Sequence, residues 1–169
     1  IVGELGLLPT AEFADPSVLG RGTDWQDAIF KNGAVNNHQL SFSGGKDNMN
    51  YYFSAGVFNQ EGILIGSDFK RYSARFNLDN QIKTWLKVGM SSNVNRSIQN
   101  VTLADAAEGT IWWSVIQNPL IPVKNLDGSW AGNKQIGAIQ YNQDNPVARA
   151  SLRGNKSTNT QLFGSIYAD

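Results

Sequence analysis

The stretch KRYSARFNLDN, residues 70–80, alternates almost without a break. Successive side chains of a strand point to opposite faces. Tyr72, Ala74, Phe76 and Leu78 therefore fall on one side, and Arg71, Ser73, Arg75, Asn77 and Asp79 on the other. The first row needs a nonpolar phase. The second row carries two guanidiniums, a carboxylate and small polar groups, and needs water. That water lies either outside a soluble protein or inside a wet lumen.

The same period runs outward on both sides. HQLSFSGG sets Leu40 and Phe42 against Gln39, Ser41 and Ser43, and GGKDN reads as a tight turn. MNYYFSAGVFN, residues 49–59, sets Tyr51, Phe53, Ala55 and Val57 against Tyr52, Ser54, Gly56 and Phe58. After the medium loop QEGILIGSD and the 70–80 strand, a short connection near Asn80–Thr84 leads to WLKVGMSSNVN at 85–95. There Leu86, Val88, Met90 and Val94 oppose Lys87, Gly89, Ser91, Asn93 and Asn95. The expected fold is all-β: an antiparallel up-and-down meander whose four strands, of about ten residues each, occupy 37–96.

Residues 1–36 are irregular, with a helical turn expected over Asp24–Phe30, capped by Thr23. Residues 97–158 form a long excursion in which one helix is expected. Thr102 stands at its cap, Asp105 at the capping-box position, and Asn118-Pro119 ends it. The rest of the excursion reads as loop, a length that marks a functional segment. Period two returns in NTQLFGSIYAD at 159–169, the start of a further strand. Connections thus alternate: short at 44–48, medium at 60–69, short at 80–84, very long at 97–158. In a meander this collects the tight turns at one end and the long loops at the other, as in outer-membrane barrels. Tyr51, Tyr72 and Trp85 lie near strand ends, where an aromatic girdle belongs.

Composition narrows the function. Lys+Arg and Asp+Glu each number 14, for a formal net charge of zero, which argues against a general affinity for nucleic acid. Charged residues make up 17%, below the usual quarter or so, and small polar residues replace them. There is no cysteine, so disulfides, thiolate metal sites and cysteine nucleophiles are excluded for this chain. No apolar run approaches the roughly 18 residues of a membrane-spanning helix, an absence that leaves a membrane barrel open. The beginning IVGELGLLPT and the end IYAD both read as cuts, so an internal piece of a longer protein is expected.

The wording of several segments resembles the SusC-like (RagA-like) TonB-dependent outer-membrane transporters. They are GTDWQDAIF (22–30), NHQLSFSGG (37–45), YYFSAGVFNQEGIL (51–64), FKRYSARFNLD (69–79), WLKVGMSSNVN (85–95), IPVKNLDGSW (121–130) and NPVA (145–148). The ordered set covers the chain from about residue 22 onward. The resemblance implies a barrel of about 22 strands with an N-terminal plug, set in the bacterial outer membrane and its lipid. It implies import of oligosaccharide or peptide fragments, a SusD-like surface lipoprotein as lid, and a TonB complex acting through a plug region absent here. Residues 1–36 are then an early extracellular loop segment, 37–96 four barrel strands, 97–158 a long extracellular loop, and 159–169 the start of the next barrel strand.

Candidate chemistry is non-covalent. His38 stands alone at a strand start and is expected to be structural. The carboxylates Asp24, Asp27, Glu61, Asp68, Asp79, Asp105, Glu108, Asp127 and Asp144 are scattered without a recognisable catalytic frame, so no enzyme is expected. NLDGSW lacks the D-x-[DN]-x-[DN]-G spacing of a calcium loop and reads as a turn. Neither a metal nor a cofactor is expected. Ligand contacts are expected from Trp130, Tyr141, Trp112, Trp113, Asn125, Asp127 and Asn133, since aromatic faces stack on sugar rings and amides bond hydroxyls. The bland role for Trp112 and Trp113 is to anchor the loop helix. Arg71, Arg75, Asp79, Lys87 and Asn93 are expected to face the lumen. The competing reading is a soluble, secreted, β-rich glycan-binding module, in which Tyr72, Phe76, Leu86 and Val88 enter a packed core.

Overall fold

The computed structural model describes residues 20–103, 109–132 and 144–169, and the backbone alone of 135–136 and 139–140. The chain divides into two units, one drawn from Ile1–Lys31 and Thr102–Arg153 and the other from Asn32–Val101 and Gly154–Asp169.

The second unit is a single antiparallel sheet. Strands β1 (Val35–Lys46), β2 (Met49–Glu61), β3 (Asp68–Lys83) and β4 (Leu86–Val101) follow one another as hairpins. After the excursion, β7 (Asn155–Ala168) pairs with β4. Its register carries the alternation across all five strands: Leu40, Ala55, Ala74, Val94 and Leu162 are direct partners in one row. Phe42, Phe53, Phe76, Ser92 and Gly164 form the next. Among the described residues no second layer covers the apolar face: Phe42, Leu40 and Leu162 are 55%, 60% and 72% exposed, and none of Tyr72, Phe76, Leu86 and Val88 is buried. The packed-core prediction of the competing reading therefore fails.

The strands run to 12–16 residues, longer than the ten or so expected. Ladder pairing continues past the apolar stripe into polar ends such as Arg96–Val101 and Asn155–Thr158, because backbone groups pair whatever the side chains are. Gly44 and Gly45 also belong to β1 rather than to the turn, which is only Asp47–Asn48, with Asp47 at φ 51°. Tyr51 explains Gly44: a Cβ there would come within 2.5 Å of the phenol oxygen and 2.7 Å of the ring. Tight turns at 47–48 and 84–85 occupy one end of the sheet, while 62–67 and the long excursion leave from the other.

The other unit is a folded assembly of loops, not the loop-like run expected. Helix α1 (Trp25–Ile29) is capped by Asp24, whose side chain accepts from the Gln26 and Asp27 N–H groups. Thr23, the expected cap, instead donates its hydroxyl to the Ile121 carbonyl at 2.8 Å. Helix α2 (Thr110–Ile116) starts after Gly109 with no side-chain cap, later than the Thr102 signal implied, and ends before Asn118-Pro119 as expected. Asp105 and Glu108 lie outside the described residues. A two-residue pair, β5 (Gln135–Ile136) and β6 (Ile139–Gln140), precedes a second helix, α3 (Pro146–Leu152), which the expectation of one helix missed. Trp25, Ile121 and Ala131 form the core, with Val123 and Val147 packed against it. Asn145 ties it together. Its Oδ1 accepts from Val147 and Ala148 N–H to cap α3, while its Nδ2 donates to the Val123 and Ala131 carbonyls at 2.8 and 2.7 Å.

Candidate functional site

The five charged or amide residues expected to share a face do so. Arg75 is the direct partner of Ser54 and Asn93, Arg71 of Phe58 and Ser97, and Asp79 of Asn50 and Gly89. Lys87 stands opposite Gln81 on the same face. Hydrogen bonds knit this surface: Ser91 Oγ donates to Asn77 Oδ1 across β4 and β3 at 3.0 Å, and Asn95 Nδ2 to Asn93 Oδ1 along β4 at 2.9 Å. Toward the tight-turn end, Tyr167 donates its hydroxyl to Asp79, and Lys87 Nζ lies 5.8 Å above the Tyr167 ring and 4.0 Å from Asp79 Oδ2. The ring covers Gly89, where any Cβ would fall into it. Toward the other end, Arg71 stacks on Phe58 at 5.4 Å, and Phe58 meets Phe69 edge-on at 6.0 Å. The face is polar but studded with aromatics, including Phe163 in the Arg75–Asn93 row.

The loop candidates separate. Trp112 projects outward at 51% exposure, whereas Trp113 is half-buried beneath Arg149, whose guanidinium lies 5.8 Å from the ring and pairs with Asp144. Helix α2 is inverted relative to an ordinary surface helix. Thr110, Ser114 and the following Gln117 are buried, while Ile111, Trp112, Val115 and Ile116 are exposed. Trp130 carries Lys124 at 4.9 Å over its ring. Asn125 and Asp127 serve the turn itself. Asp127 Oδ1 accepts from the Ser129 N–H and hydroxyl, Gly128 supplies φ +82°, and Asn125 Nδ2 donates to Ser129 Oγ. The Ser129 hydroxyl, then the Ser129 N–H, hold the Asp127 carboxyl below its ordinary range. Among the described residues no ring contact joins Trp130 to either α2 tryptophan. Tyr141 and Asn133 lie outside the described residues. His38 pairs with Val57 in the ladder, and among the described residues no group of three His, Asp or Glu is placed to hold a metal.

Sequence reasoning passed over Asn145 and Trp25. The Asn-Pro dipeptide at 145–146 was a legible cap signal, with proline at the first helical position. Trp25 carried no signal, since its Nε1 donates to the Asn118 carbonyl across 93 positions.

A single sheet with one open apolar face and one hydrogen-bonded polar face is a section of transmembrane barrel wall. Among the described residues no helix is long and apolar enough to cross a membrane. No family model matches the chain. It is 36% identical over 135 residues to TonB-dependent receptor P3 of Formosa agariphila, covering 76% of this chain and 13% of that protein. TonB-dependent receptor SusC of Bacteroides thetaiotaomicron is 28% identical over 173 residues, covering 91% of this chain and 17% of SusC. The solved RagAB peptide transporter superposes with a TM-score of 0.56 at 25% identity, over 86% of this chain and 17% of that one. The chain belongs to the TonB-dependent receptors, as a SusC-like segment of the outer-membrane barrel. It spans about a sixth or less of the length of the curated relatives it matches.

Proposed function

We propose that this chain forms wall and mouth of an importer that takes up oligosaccharide fragments across the outer membrane, with peptide fragments as the alternative cargo. The register carries the reading: one side of all five strands is apolar and the other hydrogen-bonded. In this reading Arg71, Arg75, Asp79, Lys87 and Asn93 line the aqueous lumen. Tyr72, Phe76, Leu78 and Val94 face acyl chains. The segments 1–36 and 97–158 lie outside the cell, because they join strand ends opposite the tight turns.

Cargo is captured at the mouth and released inward when the TonB complex acts through a plug region elsewhere in the receptor. No covalent step is involved. A SusD-like surface lipoprotein closes the mouth. The outward apolar face of α2, with Trp112 and Val115 51% and 61% exposed, supports contact with such a lid. Trp130 and Tyr141 remain the favoured loop residues for cargo, with Asn125, Asp127 and Asn133 assisting.

Deletion of the receptor gene, with complementation, tests this. Growth on one class of oligosaccharide as sole carbon source should be lost and restored, and the lipoprotein should co-purify with the receptor. Undiminished growth of the deletion strain on every oligosaccharide and peptide source overturns the reading.

A further inference from the structure

We infer that the polar face carries an oligosaccharide subsite at its long-connection end, built on the cross-strand row Gln60–Phe69–Gln99. The inference rests on the import reading above and assigns it a place on the wall rather than on the loops. Gln60 is the direct partner of Phe69, and Phe69 of Gln99, so one ring is flanked by two carboxamides on a single face. This is the face that bears Arg71 and Arg75. Gln60, Phe69 and Gln99, together with Gly62, Ser67, Asp68 and Asn100, line an open cleft of about 280 Å³. That is near the lower end of ligand clefts, roughly 300–1,000 Å³, and suits one ring of a longer chain.

The cleft is built rather than incidental. Asn100 Nδ2 donates to Asp68 Oδ1 at 2.6 Å in the adjacent row, whose side chains take the opposite face, and so ties β3 to β4 beside the ring. The Gly62 N–H donates to the Ser67 carbonyl at 2.9 Å, and the Ser67 hydroxyl to the Leu64 carbonyl at 2.5 Å, closing the loop at one wall. Leu64, in the same loop, is buried at 7% exposure. A side chain at Gly62 would fall on Ser67, so the loop closes this tightly only with glycine there. Phe69 is held by its edge-on contact with Phe58, itself covered by Arg71.

The chemistry favours a neutral polyol over a peptide. Each carboxamide offers a donor and an acceptor, which matches a hydroxyl, and the ring offers an apolar face for sugar C–H groups. Among the lining residues only Asp68 is ionisable, and the register turns its side chain to the opposite face. An extended peptide binds a sheet by adding to an unpaired edge. Here β3, at the centre of the row, is paired on both sides, so it offers no free strand edge to receive it.

The test uses the full-length receptor in detergent against an array of neutral oligosaccharides and a tryptic casein peptide pool. An oligosaccharide should bind. Gln60→Ala and Gln99→Ala should each weaken it about tenfold, the equivalent of one hydrogen bond of about 1.4 kcal/mol. The double variant should weaken it further, with the folded band on gels unchanged. Oligosaccharide binding that the double variant leaves within twofold overturns the subsite while leaving the importer reading intact. Binding confined to the peptides, or to nothing on the array, overturns the subsite as an oligosaccharide site. Loss of growth dependence in the deletion strain is a separate failure, that of the importer reading.

Discussion

Replacing Asn145 by Ala should open the loop unit while leaving the strands paired. Asn145 is 5% exposed and uses both ends of its carboxamide. Loss of Oδ1 removes the cap of α3, worth about 1 kcal/mol. Loss of Nδ2 affects two carbonyls unequally. That of Val123 still accepts from the Ala131 N–H at 3.3 Å, whereas that of Ala131 is left with a desolvation penalty of about 1–3 kcal/mol. With a smaller loss at Val123, the sum is about 3 kcal/mol, which corresponds to roughly 100-fold faster exchange where exchange follows the opening equilibrium. The assay is hydrogen exchange by mass spectrometry on the full-length receptor, following peptides over 121–132 and 144–152. Asn145→Asp keeps the cap but sets an oxygen against two carbonyls, so it should rescue little. Protection in Asn145→Ala equal to that of the parent, or lost equally through β1–β4, would show that this side chain does not hold the unit together.

Phe76→Arg, in the middle of the apolar face beside Phe53 and Ser92, should cost about 2–4 kcal/mol if lipid faces it. It should therefore lower the yield of folded receptor, while Arg75→Leu next to it should not. Gly89→Val drives a side chain into the Tyr167 ring, an overpacking of about 1–3 kcal/mol. The thermal midpoint should fall, and adding Tyr167→Ser should recover it; no recovery would place the fault elsewhere. Asp127 gives a pH dependence. Its carboxyl is held below its ordinary value when folded, so its contribution to the turn is fully present above the unfolded value and fades as pH falls through the folded one. Protection over 124–131, measured against the intrinsic exchange rate at each pH, should fall with acid, and Asp127→Asn should flatten that response. An identical acid response in both proteins would remove the carboxylate from the account.

Strand polarity was legible because alternation is local: each of Tyr72 to Asp79 declares its face within two positions. Family membership was legible in the ordered wording of segments such as NHQLSFSGG and WLKVGMSSNVN. Strand ends were not, since Asn155–Thr158 pairs through backbone with no apolar residue, and in Arg96–Val101 only Ile98 and Val101 interrupt a polar run. The loop unit was less legible still. Its core joins Trp25 to Ile121 and Ala131, and no local period records a contact made so far along the chain. Helix α2 defeated pattern reading for a different reason: its apolar residues point outward, opposite to the rule by which a helix face is assigned. The Gln60–Phe69–Gln99 row went unseen because the register that aligns it appears only when β2, β3 and β4 are paired.

The reversal of oil and water across the sheet can be measured directly. The chain has no cysteine, so single cysteines at Phe53, Phe76 and Met90 can be compared with cysteines at Ser54, Arg75 and Asn93 in a cysteine-free full-length receptor. With bimane attached and the receptor in vesicles containing doxyl-labelled lipid, the first three should be quenched strongly and the second three weakly. Quenching of Ser54, Arg75 and Asn93 with Phe53, Phe76 and Met90 spared would mean that the polar face meets lipid, and would contradict the barrel-wall assignment.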